Sequence, residues 1–446
     1  MEKFFKLKEH NTTVRTEVVA GLTTFFTMAY IIFVNQTFLG ENTPVGMPNI
    51  AVMTATCLSA CFGTYLIGFL TNYPLAQAPG MGLNAVFCYT MCAGMGLSWQ
   101  ASLSAVFLAG IFFILITVTG IRKIIVDAIP LTLKKAISAG IGLFIALIGL
   151  NNAGLLSNET GTVIGMGSLA VPTTLLALFG LALTIVLVVA KVPGALFVSI
   201  IGTSIVGCIL QFGFDIPMGV TMPTSWVPHV DFSTFGACFT GFKSLFATPV
   251  LSLVTVMITL VLVDMFDTIG TLIGAANKAG YLDEDGNLPK VEKAMLSDAI
   301  ATSVGAVFGT STVTTYVEST AGISAGGRTG LTSLVTGTCF LFALLLSPVL
   351  GFVPAAATAP VLIIVGVMMC SALKDVDWDD LSIAIPAFIT IISMPLFYSI
   401  TEGLAFGFIS FIIVKIASRK VKEIHPVMYV IALLFIIKYV LTYAKF

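Results

Sequence analysis

Apolar runs of about 20 residues, the length a helix needs to cross the hydrocarbon core of a bilayer, recur along nearly the whole chain. Short polar or Gly/Pro breaks separate them and place spans at 17–38, 50–71, 98–120, 130–152, 171–190, 192–212, 249–274, 294–310, 330–351, 356–373, 381–398 and 401–418. A further apolar segment lies at 426–443. Lipid offers no partner to backbone N–H and C=O groups, so segments of this kind must satisfy them internally, as helices. The expected fold is an all-α polytopic membrane protein whose outer surface contacts membrane lipid. Composition agrees: 57% of the 446 residues are hydrophobic and 10% charged, where a soluble domain carries about a quarter charged. The 21 basic and 22 acidic residues nearly cancel, which supplies no cationic surface and argues against nucleic acid as a partner.

Cys57, Cys61, Cys88 and Cys92 sit inside apolar runs, and His10, His229 and His425 are far apart. They read as packing residues rather than convergent ligands, so neither a metal nor another cofactor is expected. The start, MEKFFKLKEHNTTVRTE, reads as a retained amphipathic lead-in to the first span.

Two stretches, 74–93 and 311–327, are Gly-rich, more polar and too broken for ordinary spans. If each crosses once, Lys3, Lys6, Lys8, Arg15, Arg122, Lys123, Lys191, Lys278, Lys290, Lys293, Arg328, Lys374 and the Lys415–Lys422 cluster share one side, with Lys243 as the exception in the intervening loops. The positive-inside rule then puts the N-terminus in the cytoplasm and implies an even number of crossings before that cluster, fourteen in all, in the cell membrane. An internal echo points to duplication: ACFGT at 60–64 precedes the first broken stretch and AVFGT at 306–310 the second. With seven crossings in each half, the second half enters from the opposite side. The expectation is a 7+7 inverted repeat with broken third and tenth elements. The crossing of 426–443 stays open between a fifteenth span, an interfacial helix and a misassigned earlier span.

Ionisable residues inside such spans are costly and normally face a cavity or a partner. Glu318, in TTYVESTAG, is one; it reads either as a ligand-binding or proton-exchanging group or as the cap of a short helix. Asp264 and Asp267, in LVLVDMFDTIGTLIG, are two more. Their i,i+3 spacing puts both on a similar helical face, within reach of a substrate N–H or a shared proton. Asp267 is the stronger substrate candidate; Asp264 is structural or proton-linked. Gly270 and Thr271 follow one turn on, allowing close packing or offering a hydroxyl. In NYPLAQAPGMGLNAVFCY, Pro79, Gly80 and Gly82 interrupt the helical ladder, and Gln77 and Asn84 each donate and accept hydrogen bonds, which suits a neutral heterocycle or a locally bonded kink. Phe87, Tyr89 and Tyr316 are stacking candidates, although most buried aromatics only pack. The run GTxxGxG at 161–167 lacks the lysine of a phosphate loop and reads as a turn. Asp283–Gly286 does not continue into a calcium loop, and PKVEKAM at 289–295 suits a cytoplasmic helix start.

Several separated motifs, in order, resemble the AzgA-like purine permeases of the nucleobase-ascorbate transporter superfamily. They are EVVAGLTTFFTMAYIIFVN at 17–35, APGMGLNAVF at 78–87, VDMFDTIGTLIGAANKAG at 263–280, TSTVTTYVESTAGISAGGRTG at 310–330 and IPAFITIISMPL at 385–396. The resemblance implies fourteen elements divided between a core (1–4 and 8–11) and a gate or scaffold (5–7 and 12–14). Mapped here, the core is 17–120 and 249–351 and the gate 121–212 and 352–418, with an extracytoplasmic connector at 213–248 and a C-terminal tail at 419–446. It also implies substrate-binding roles for Asp267, Glu318 and Asn84, with Gln77 and Thr271 as further candidates and Glu318, Asp267 and Asp264 as proton-coupling candidates. Related transporters carry a second acid four residues after the first, where this chain has Thr271, which weakens transfer of their proton relay. The implied function is proton-driven uptake of guanine, hypoxanthine or adenine by a non-enzymatic carrier moving its core against its gate. The proton is the coupling ion and a homodimer the implied assembly. The alternative is a carrier of another nucleobase or a small anion on the same architecture.

Overall fold

The computed structural model describes residues 2–120, 125, 128–157, 164–223, 225–281 and 288–443. Arg122, Lys123, residues 161–163 of the GTxxGxG run and all of 283–286 lie outside these described residues.

Helix α1 (Val14–Met28) begins where the Thr13 hydroxyl accepts the Thr16 N–H at 3.2 Å, a side-chain cap that satisfies one of the orphan donors of a helix start. It continues as two short turns, Ile31–Val34 and Gln36–Leu39. Helix α2 (Asn49–Thr71) closes on Asn72 in the left-handed region at φ 62°. Strand β1 (Gln77–Pro79) leads into α3 (Met81–Ala85), which widens into π-turns over Val86–Gly94. Then come α4 (Trp99–Val118), α5 (Leu131–Asn152), a hairpin of β2 (Leu156–Ser157) and β3 (Gly165–Met166), α6 (Pro172–Val189) and α7 (Ala195–Phe214). The second part runs α8 (Val250–Ala279), α9 (Val291–Phe308), β4 (Val313–Thr315), α10 (Ser319–Ser324) and α11 (Gly330–Ala343). It closes with α12 (Ala355–Cys370), α13 (Leu381–Leu396), α14 (Ile400–Ala417) and α15 (Pro426–Tyr443).

Among the described residues, 10 helical segments are long and apolar enough to cross a membrane, and three shorter apolar ones, Met81–Gly94, Leu381–Leu396 and Pro426–Val440, accompany them. The chain is a multi-pass, essentially all-α membrane protein with two small strand pairs. Span ends follow the sequence expectation closely, as at Asn49–Thr71 and Leu131–Asn152. The span expected at 330–351 changes character part-way: after Ala343 it tightens into a 3-10 helix, Leu344–Phe352, containing Pro348, whose missing N–H cannot continue the α-helical ladder.

Helices α1, α2, α4, α8, α9, α10 and α11 pack mainly with one another, and α5, α6, α7, α12, α13 and α14 form a second set. Small residues bring the backbones close, a recurrent device in membrane helix packing. At the α5–α12 crossing a Cβ on Gly142 would stand 2.7 Å from Met369 Cβ and 2.8 Å from the Gly366 carbonyl oxygen. The two sets meet where α3 touches α5, where α8 touches α5 and α14, and where α7 touches α1. Large apolar side chains such as Val186, Val189, Ile205 and Ile413 stay exposed, as lipid contact requires.

The two echo sequences do not occupy equivalent places. ACFGT lies in the middle of α2, whereas AVFGT runs off the end of α9, with Gly309 at φ 101°. The broken stretches themselves do correspond, each giving a three-residue strand followed by a short helix. Helix α15 runs back along α14: Glu423, ahead of α15, pairs with Lys415 at 2.6 Å, and Lys438 near its end pairs with Glu402 at 2.6 Å. It also packs on α8.

Candidate functional site

The two broken stretches meet in the interior. Strands β1 and β4 pair antiparallel in the register Gln77↔Thr315, Ala78↔Thr314 and Pro79↔Val313. Gly80 N–H to Thr312 O (3.0 Å) and Tyr316 N–H to Ala76 O (2.9 Å) extend the pairing at both ends. Both strands are buried along their length, and strands this short satisfy one another's backbone groups. Gly80 makes the crossing possible, since a Cβ there would stand 2.6 Å from Thr314 Cγ2. The Tyr316 hydroxyl donates to the Pro79 carbonyl at 2.5 Å, so this aromatic candidate serves the crossing.

Around this crossing the chain places three carboxylates from three elements. Asp267, on α8, is partly buried, and among the described residues none donates a hydrogen bond to it. Asp298 on α9 and Glu318 are the carboxylates whose charge reaches it. Glu318 occupies the N-cap position of α10, yet its side chain makes no capping bond. It accepts instead a 2.5 Å hydrogen bond from the hydroxyl of Tyr30, which follows α1 and is fully buried. Of the two sequence readings of Glu318, the capping one therefore lacks the bond it needs.

Asp264 and Asp267 share a helix but not an environment. Asp264 is enclosed against α9, where the Thr302 hydroxyl lies 3.3 Å from its Oδ2 and 3.0 Å from the Val313 carbonyl oxygen. Thr271, one turn beyond Asp267, is buried, and Gly270 faces open space.

Gln77 is wholly buried and its amide is fully used. Its Nε2 donates to Asp298 Oδ1 (3.2 Å) and Thr315 Oγ1 (3.1 Å), and its Oε1 accepts from Ser297 Oγ (3.3 Å). Asp298 completes the set by accepting from Thr315 Oγ1 at 3.2 Å and Thr268 Oγ1 at 2.7 Å. This network ties β1, β4, α8 and α9 together beside Asp267. Asn84, on α3, is also fully buried; its Oδ1 accepts from the Ser311 hydroxyl, while its Nδ2 has no partner among the described residues. An amide donor buried without a partner carries a desolvation cost. Phe87 is buried, and Tyr89 packs against Phe144 and Tyr398 with ring centroids 6.0 and 5.0 Å away.

Sequence reasoning missed Asp298 and Tyr30. Asp298 carried the signal that drew attention to Glu318, a lone acid among small and apolar residues in LSDAIATSVGAV. Tyr30, in TMAYIIFVN, carried none, because one hydroxyl in an apolar run does not announce its partner. Among the described residues, no group of three His, Cys, Asp or Glu side chains is arranged to hold a metal ion.

Residues 15–406 match the family described as "Permease family". The adenine permease AdeP of Escherichia coli K12 is 42% identical over 99% of this chain and 96% of its own. The guanine/hypoxanthine permease PbuG of Bacillus subtilis is 41% identical over 99% of each chain. The chain belongs to the AzgA-like purine permease family. Among solved structures, the transmembrane domain of a cyanobacterium bicarbonate transporter, BicA, superimposes on this permease with a TM-score of 0.61 at 17% identity, covering 90% of this chain and 96% of that one. That likeness shows the fold alone.

Proposed function

We propose that this permease carries a purine nucleobase across the cell membrane in symport with a proton. Membership among curated purine permeases supports transport rather than enzymatic chemistry. The observation that carries the substrate assignment is the partly buried Asp267 carboxylate, with no hydrogen-bond donor among the described residues, beside Glu318 and the strand crossing. A carboxylate accepts the N–H groups that line a purine's edge, and water exclusion strengthens such bonds. Asn84 Nδ2 supplies a donor for a ring nitrogen or exocyclic oxygen, and Thr271 stands one turn away on α8. Gln77 and Asp298 hold the crossing in shape behind the base. Asp264, with Thr302, is the remaining proton-linked candidate.

The architecture read for this function has fourteen crossings in a 7+7 inverted repeat, with β1–α3 and β4–α10 as the broken third and tenth elements. The antiparallel meeting of two like strand-helix units supports it, since a two-fold axis in the membrane plane produces that arrangement. The core comprises 17–120 and 249–351, the gate 121–212 and 352–418, and the separate packing of the two helix sets supports their relative motion. With the N-terminus cytoplasmic, 213–248 is an extracytoplasmic connector and 419–446 a tail whose helix α15 braces α14 and α8. A homodimer is the assembly read from the superfamily resemblance. A purine enters between core and gate, one site acid takes up a proton, and the less charged, occupied core slides to open on the other side. An empty charged site crosses only at a desolvation cost, which couples the two fluxes.

An anion carrier is the second reading, favoured by the fold shared with the bicarbonate transporter, but Asp267 and Glu318 repel such a substrate. Competition decides: guanine, hypoxanthine and adenine are expected to inhibit uptake of a labelled purine while bicarbonate leaves it unchanged, and Asp267→Asn lowers uptake. Labelled bicarbonate uptake that purines do not inhibit contradicts the purine reading.

A further inference from the structure

The two site carboxylates are not equivalent, and Tyr30 makes them different. Glu318 is engaged by the Tyr30 hydroxyl at 2.5 Å, whereas no described residue donates to Asp267. We propose that Tyr30 is a positioning residue that aims the Glu318 carboxylate and sets its proton affinity, which assigns proton exchange to Glu318 and leaves Asp267 for the purine. The inference rests on the reading of Glu318 as a site residue and names the residue that controls it.

The placement of Tyr30 is built rather than incidental. Helix α1 is anchored at its start by Glu17, a fully buried carboxylate that accepts Arg328 N–H at 2.9 Å, Thr329 Oγ1 at 2.8 Å and Thr332 Oγ1 at 2.6 Å. Further along, α10 rests directly on α1: a Cβ on Gly322 would stand 2.6 Å from the Ala20 carbonyl oxygen. Both ends of the Tyr30–Glu318 bond therefore belong to elements locked against each other. The phenol sits where α1 gives way to Ile31–Val34. Its hydroxyl donates to one side chain, Glu318, from a site with no solvent access.

Among the described residues, the charged and titratable groups facing Glu318 are Tyr30 after α1, Tyr316 on its own segment and Asp267 on α8, with Asp298 beside Asp267. Tyr316 is committed to Pro79 O at 2.5 Å and does not compete for the carboxylate. A hydroxyl donated to an anion makes a bond about twice as strong as one between neutral groups. The Tyr30 bond therefore weakens when Glu318 takes a proton, and that difference enters the pH dependence of transport. Its loss moves the pH of half-maximal uptake up by about one unit, the scale of one charge-assisted hydrogen bond.

The test uses the full chain in proteoliposomes, with labelled guanine and adenine as probes, across a pH series. Tyr30→Phe removes one hydroxyl and is expected to raise the pH midpoint by about one unit. In the Glu318→Gln background the same change is expected to have no further effect on the profile. Incorporation of 3-fluorotyrosine at position 30 keeps the shape, strengthens the donor and is expected to move the midpoint the opposite way, which decides the matter alone if Tyr30→Phe does not assemble. An unchanged profile in the Tyr30→Phe or the fluorotyrosine protein, or an equal Tyr30→Phe shift with and without Glu318, overturns the inference. A wild-type profile in Glu318→Gln overturns instead the placement of Glu318 in the mechanism.

Discussion

Replacing Asp298 by alanine removes the acceptor that joins four elements behind the site, and the structure sets the size of the effect. Gln77 Nε2, Thr315 Oγ1 and Thr268 Oγ1 all point at this carboxylate. Thr268 has a second partner, Thr314 Oγ1 at 2.8 Å, so its hydroxyl can turn. The Gln77 and Thr315 protons are left buried, at about 1–3 kcal/mol for each unsatisfied group, or about 2–6 kcal/mol together. Asparagine at the same position behaves differently. Its oxygen still accepts from Gln77 and Thr315, its amide donates to Thr268 Oγ1, and Thr268 passes its own proton to Thr314. The heavy-atom contacts are kept, and what is lost is charge assistance and the bond of the Thr314 proton that Thr268 displaces, about 1–3 kcal/mol together. The order of stability is therefore wild type, then Asp298→Asn, then Asp298→Ala. Thermal unfolding of detergent-purified protein reads it through exposure of the buried thiols of Cys57 and Cys88 to a thiol-reactive dye. An alanine variant as stable as wild type, or an asparagine variant less stable than alanine, refutes the reasoning.

Glu17→Ala strips the start of α11 of the carboxylate that accepts the Arg328, Thr329 and Thr332 donors; loss of about 2 kcal/mol or more is expected, read in the same unfolding assay, with Glu17→Gln intermediate. On the loop before α13, the Ser382 hydroxyl, then the Ser382 N–H, then Lys420 hold the Asp380 carboxyl at about 2. A carboxyl held below its ordinary range stabilises the fold fully above that range and loses the contribution as pH falls through its folded value. Asp380→Asn should therefore lower the unfolding midpoint at neutral pH, with the gap to wild type closing as pH falls toward 2. A gap that stays constant over that window contradicts the assignment.

The spans were legible in the sequence because lipid imposes one strong rule on length and polarity, and ends such as those of α2 and α5 follow from Pro48, Asn72 and Pro130. The two broken stretches were legible as exceptions to the same rule. Their pairing was not, because three-residue strands carry no periodicity and Gln77 meets Thr315 across 238 residues of chain. For the same reason Gln77 read as a ligand candidate when its amide is spent on Asp298, Thr315 and Ser297. The ACFGT and AVFGT echo pointed to duplication from positions that are not equivalent; a five-residue match in a chain with 41 glycines carries less than the geometry of the strands it precedes. Asp264 and Asp267 looked alike by spacing, and only the packing of α9 against α8 separates the enclosed acid from the open one.

Uptake of a labelled purine into proteoliposomes holding this permease, with and without an imposed inward proton gradient, tests the central claim most directly. The account predicts accumulation above the external concentration while the gradient lasts, collapse on addition of a protonophore, and competition by unlabelled guanine, hypoxanthine or adenine. Equal uptake with and without the gradient contradicts proton symport, and uptake indifferent to all three purines contradicts the substrate itself.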